Sequence, residues 1–150
     1  MLYGSKRETY RQIFVEVWQR YRRQEALDAM EKRMVSVILA HPEYHPLLED
    51  PDLALSADFG PESGRSNPFA HMGLHIALLE LLAADQPPGM VQLFERLRSQ
   101  YDEEAAEHTV VECLGELLWQ AQREGRSPDL KGLLPCLRRC LGWDPEGERN

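Results

Sequence analysis

Asn67-Pro68-Phe69-Ala70-His71-Met72-Gly73-Leu74-His75-Ile76-Ala77-Leu78-Leu79-Glu80-Leu81-Leu82-Ala83-Ala84 is the stretch that decides the fold. Asparagine is a good N-cap and proline is favoured at the first helical position, so a helix begins at Pro68. Its apolar residues surround the axis instead of covering one stripe. Between Pro68 and Asp85 the only charge is Glu80. A helix that is apolar on every side is a buried one. This helix is therefore expected at the centre of the fold. It carries His71 and His75, which are four residues apart and so lie one above the other on one face.

Working outward, residues 6–24 place Tyr10, Ile13, Phe14, Val17, Trp18 and Tyr21 on one apolar stripe. Ser5 and Glu8 make a capping box at its start. Residues 26–40 repeat the helical period, and Pro42 pushes His41 out of the helical region, ending that helix. Residues 42–66 are the least regular part, with a short helical turn near His45–Pro51 and a Gly/Ser/Pro-rich loop from Ser56 to Ser66. Long loops inside compact domains are often functional. After Asp85-Gln86-Pro87-Pro88-Gly89, helices are expected over 88–101 and 103–124. The last starts at Ser127-Pro128 and ends near Leu141, with Pro135 kinking or splitting it. Sustained alternation and hairpin turn dipeptides are missing, so no strand is expected. The sequence thus predicts an all-α chain: a single compact helical bundle of five to six helices with one long loop over residues 1–143, then a polar C-terminal tail at 144–150.

Composition narrows the function classes. A net charge of −8 and a pI near 5.1 argue against nucleic-acid binding, which needs a basic surface to displace counterions. Residues 1–23 depart from this balance. Six basic residues against two acidic ones give them +4, leaving −12 for the rest. That basic helix either docks a protein partner or packs on the acidic body behind it. No apolar run approaches the ~20 residues needed to span a bilayer, and the N-terminus lacks the apolar core of a secretory signal. The three cysteines, Cys113, Cys136 and Cys140, do not make a disulfide framework. They read as free thiols in a reducing, cytoplasmic compartment.

The histidines carry the chemistry. His71 and His75 form one pair, and His108 and Glu112 another at the same spacing on a second helix. Burying an imidazole unpaired costs on the order of 1–3 kcal/mol, so two stacked rings on a buried helix need a partner. Two helices that each offer two donors make the four-ligand set of a metal site in a bundle core. His71, His75, His108 and Glu112 are the candidate ligands, with Glu116 or His45 behind them. Such a set suits Zn, Fe, Mn or Ni better than Ca or Mg. His41 and His45 straddle Pro42, so their spacing has no helical meaning. They are discounted as a pair, while either one can approach the site from the loop. The alternative is a non-catalytic adaptor or regulatory module whose histidines are structural core groups.

Several strings resemble a known family. They are Tyr3-Gly4-Ser5-Lys6-Arg7, His41-Pro42-Glu43-Tyr44-His45, Asn67-Pro68-Phe69-Ala70-His71-Met72-Gly73-Leu74-His75, Asp85-Gln86-Pro87-Pro88-Gly89 and Glu112-Cys113-Leu114-Gly115-Glu116-Leu117-Leu118-Trp119-Gln120-Ala121-Gln122. Together they resemble a family of small bacterial proteins known only as a domain of unknown function, over most of residues 1–135. The resemblance implies a bacterial, cytoplasmic, stand-alone domain and supplies no activity, substrate or cofactor. A looser likeness is to metal-binding bundles of the hemerythrin and DinB-like kinds. Those draw ligands from three or four helices, whereas this chain offers two good ligand helices, and fold does not fix function.

Overall fold

The protein is seen in a computed structural model that describes residues 6–59 and 67–142. Among these residues there are eight α-helices and no strand. They are α1 (Lys6–Arg22), α2 (Ala29–Leu39), α3 (His45–Leu48), α4 (Pro51–Ser56), α5 (Pro68–Ala84), α6 (Met90–Gln100), α7 (Glu103–Arg123) and α8 (Leu133–Cys140). The expected count of five to six was low. α3 and α4, of 4 and 6 residues, are too short to show a helical period, and each is set instead by a proline in its first turn. The capping role of Ser5, much of the 56–66 loop and the tail at 144–150 fall outside the described residues.

The packing separates into two compact units, Met1–Ile76 and Ala77–Asn150, with the division inside α5. In the first unit α1 packs on α2, α3 and α4. Its buried face is Phe14, Val15, Val17 and Trp18. Tyr10, Ile13 and Tyr21, expected on the apolar stripe, are 44%, 46% and 38% exposed. Arg11, on the buried side of α1, is only 1% exposed. Its Nη1 donates to the carbonyls of Ala54 (3.1 Å) and Ala57 (2.7 Å) at the end of α4. The guanidinium lies over the rings of Phe59 and Phe69. A cation suits the carbonyl end of a helix, and the aromatic faces replace part of the hydration it loses. Three further arginines, at the end of α1 and just beyond it, have acidic partners nearby: Arg20 on Glu31 (2.6 Å), Arg22 on Glu49 and Arg23 on Glu25 (2.6 Å).

α2 opens on a full capping box. The Asp28 carboxylate accepts from the Glu31 amide at 2.8 Å, and the Glu31 carboxylate accepts from the Asp28 amide at 2.9 Å. The capping box starts the helix three residues later than the apolar pattern suggests. At its other end the helix stops at Leu39, and a 3-10 turn over Pro42–Tyr44 follows. α5 runs from Pro68 to Ala84 as expected, and the Asn67 carboxamide accepts from the amides of Phe69 and Ala70.

In the second unit α6, α7 and α8 pack on one another around Met90, Leu97, Val110, Leu133 and Leu137, all fully buried. Gly89 enters α6 at φ 96°, a conformation that a residue with a β-carbon rarely adopts. α7 begins at the Asp102 N-cap. A 3-10 turn over Leu130–Gly132 precedes α8. Pro135 thus sits in the first turn of α8, where a missing N–H breaks no helical bond. Trp119 of α7 is 53% exposed and covered on one side by Arg123.

Candidate metal centre

The site is built from the C-terminus of α2 and the first half of α5. A helix leaves its last carbonyls without helical partners. Here the amides of Ala40 and His41 reach the carbonyls of Val37 and Ile38, and two histidines add a second donor to each. His41 Nδ1 lies 2.8 Å from the Val37 carbonyl, and His45 Nε2 lies 2.8 Å from the Ile38 carbonyl. A carbonyl only accepts, so each ring nitrogen must donate, and the proton position follows. His41 donates from Nδ1, so in the neutral ring the lone pair is on Nε2. A carbonyl that fixes the tautomer of a histidine in this way is the usual support behind a metal ligand. His45 is turned elsewhere, with its ring against Trp18 at 4.5 Å between centroids. Trp18 Nε1 in turn donates to the Glu49 carboxylate.

His41 faces the α5 pair. Ring centroids stand 5.1 Å apart for His41 and His71, 4.8 Å for His41 and His75, and 4.6 Å for His71 and His75. The Nε2 atoms of His71 and His75 are 3.1 Å apart. One nitrogen from each of the three rings lies within 4.8 Å of the others. His41 and His75 are buried, at 8% and 5% exposure, and His71 is half-buried. The site therefore has a closed side and an open side. Tyr44 stacks parallel to His41 at 5.4 Å and meets His71 edge-on. Burial, helped by the Glu43 carboxylate, pushes the Tyr44 hydroxyl up, so it remains a neutral phenol.

The α5 pair has the nitrogen spacing that one shared ion would require. Two nitrogens each about 2.0–2.1 Å from a tetrahedral zinc stand roughly 3.3 Å apart, close to the 3.1 Å between His71 and His75. Gly73, between His71 and His75, lets α1 approach. A β-carbon there would collide with the Tyr10 hydroxyl oxygen.

Of the residues expected to bind metal, His71 and His75 are in this trio. His108 and Glu112 stand on α7 in the second unit. His108 Nδ1 donates to the Glu104 carbonyl at 2.9 Å. Glu112 is exposed and, with Glu116, lines a cleft between α7 and α8. His41 was legible only as a loop histidine able to approach the site.

That cleft, of about 420 Å³, corrects the reading of the cysteines as free thiols. Cys113 of α7 and Cys136 of α8 form a disulfide across 23 residues, with Cα atoms 6.0 Å apart. Only Cys136 and Cys140 have a helical spacing, so the sequence offered no local sign of the α7–α8 pairing. Cys140 alone keeps an exposed thiol.

Comparison with known proteins gives a family. A family model described as "Domain of unknown function (DUF1841)" matches residues 6–139. No curated protein and no solved structure matches the chain. No helix among the described residues is long and apolar enough to cross a membrane.

Proposed function

The chain belongs to the DUF1841 family, and from that premise we propose that its first unit is a transition-metal-binding module, with His41, His71 and His75 as ligands. The observation that supports this most is the convergence of three imidazole nitrogens within 4.8 Å, one of them with its tautomer fixed by a carbonyl. Three neutral imidazoles suit zinc first, then iron, nickel or manganese. With three protein ligands, a fourth position stays open for water on the side of the half-buried His71, which is the arrangement of sites that activate water. We place the protein in the bacterial cytoplasm, as the sequence suggests.

The reading keeps His71 and His75 from the four-ligand set and takes His41 in place of His108 and Glu112. A second reading, a non-catalytic adaptor or regulatory module with structural histidines, draws on the same 3.1 Å contact, which one shared proton would satisfy. The intramolecular partners of Arg20, Arg22 and Arg23 weigh against a basic docking helix.

Elemental analysis of the purified chain and its variants separates these. One ion per chain is expected in the wild type, lost in His41→Ala, His71→Ala and His75→Ala and kept in His108→Ala and Glu112→Ala. Loss in the last two as well would restore the four-ligand set. A wild type without stoichiometric metal, and with a Tm unmoved by added zinc, would leave the adaptor reading. Zinc at about 100 times its Kd should stabilise the unit by about 2.7 kcal/mol.

A further inference from the structure

The second unit holds a cluster that the histidine site does not use. The sulfurs of Cys113, Cys136 and Cys140 all lie within 4.8 Å of one another, and all three residues line the cleft between α7 and α8. Their accessibility is graded. Cys113 is 2% exposed, Cys136 is half-buried and Cys140 is exposed. A disulfide with a third thiol in reach, all facing one cleft, has the parts needed for exchange. Thiol–disulfide exchange proceeds by attack of a thiolate on a disulfide sulfur through a mixed disulfide. In the reducing compartment proposed above, disulfides that form are usually transient and catalytic or redox-sensing.

We propose that Cys113, Cys136 and Cys140 form a thiol–disulfide exchange site at which a low-molecular-weight monothiol binds and moves the bridge from Cys113–Cys136 to Cys136–Cys140. The incoming thiolate attacks Cys136 Sγ, the more accessible of the two bridged sulfurs. A mixed disulfide forms there, the Cys113–Cys136 bond breaks, and Cys113 leaves with the electron pair and takes a proton from solvent. The Cys140 thiol gives a proton to solvent, and its thiolate then attacks Cys136 Sγ from one turn along α8. The Cys136–Cys140 bond forms and the monothiolate leaves with its electron pair. Electrons balance without an outside oxidant: one disulfide has moved and the monothiol is regenerated. The link between α7 and α8 is exchanged for one within α8. A cleft of about 420 Å³ is in the size range of small-molecule sites.

The test uses the oxidised full-length chain, with and without substoichiometric reduced glutathione as the probe. Samples are acid-quenched, alkylated in denaturant and mapped by mass spectrometry. The single label per chain should divide between Cys140 and Cys113, and reach that division at least tenfold faster with glutathione. Cys140→Ser, at an exposed position, should keep its helical content and, with glutathione in excess, carry glutathione on Cys136 and the label on Cys113, because only Cys113 remains to displace the adduct. Label confined to Cys140 in the wild type, together with no glutathione adduct in Cys140→Ser, would overturn the proposal. Neither result depends on whether the histidines bind metal.

Discussion

Arg11→Ala should be among the most damaging single substitutions in the first unit. The guanidinium is 1% exposed and donates to two carbonyls, those of Ala54 and Ala57. Each charge-assisted bond contributes about 1.5–3 kcal/mol. Truncation also leaves both carbonyls without this donor in a buried setting and opens a cavity beside Phe59 and Phe69. Against this stands the cost of keeping a guanidinium out of water, several kcal/mol, which the variant no longer bears. Bond loss and cavity formation together outweigh that relief, so the net loss is about 3 kcal/mol, in the range measured when one partner of a buried charged contact is removed. Arg11→Met fills the cavity but not the carbonyls, and should lose about 1–2 kcal/mol. The assay is urea unfolding followed by tryptophan fluorescence, since Trp18 is buried in the same unit at 3% exposure. The midpoint should fall with an unchanged slope. A loss below about 1 kcal/mol in Arg11→Ala, or a gain in Arg11→Met, would refute the view that the carbonyl contacts hold α4 to α1.

Gly73→Ala should change stability by less than about 1 kcal/mol in thermal melts, because the new methyl meets only the hydroxyl end of the 44% exposed Tyr10 side chain, which can turn aside, while alanine has the better helix propensity. Asp28→Ala removes the capping box of α2 and should cost about 1 kcal/mol by chemical denaturation. The Glu25 carboxyl is held below the usual range, chiefly by its hydrogen bond from Arg23. Its folded value is depressed, so the stabilisation it contributes is present above the ordinary carboxylate range and fades as pH falls through the depressed value. NMR titration should find its midpoint below that of an unperturbed glutamate, and Arg23→Ala should return it most of the way.

What the sequence made legible was the information carried by local pattern. α5 announces itself by Asn67-Pro68 and by eighteen positions with a single charge, and His71 with His75 follows from helical spacing. α6 and α7 were likewise visible from their apolar periods. What stayed hidden depends on contacts between distant segments. His41 reaches His71 across 30 positions, carried there by the end of α2 and the turn after Pro42. The same proline that broke its spacing with His45 sets its place at the site. Cys113 meets Cys136 across two helices. Arg11 looked like one charge in a basic helix, and its burial depends on the α4 carbonyls. Ile13 and Val15 show the same limit: both suit a helix interior, and only the neighbours of α1 decide that Val15 is buried and Ile13 half-exposed.

The most direct test of the histidine centre is X-ray absorption at the zinc edge on the zinc-loaded chain. The three-histidine site predicts three imidazole nitrogens at about 2.0–2.1 Å with one further light ligand, and a signal that collapses in His41→Ala. A first shell of sulfur at about 2.3 Å, or a zinc spectrum unchanged by His41→Ala, would contradict it.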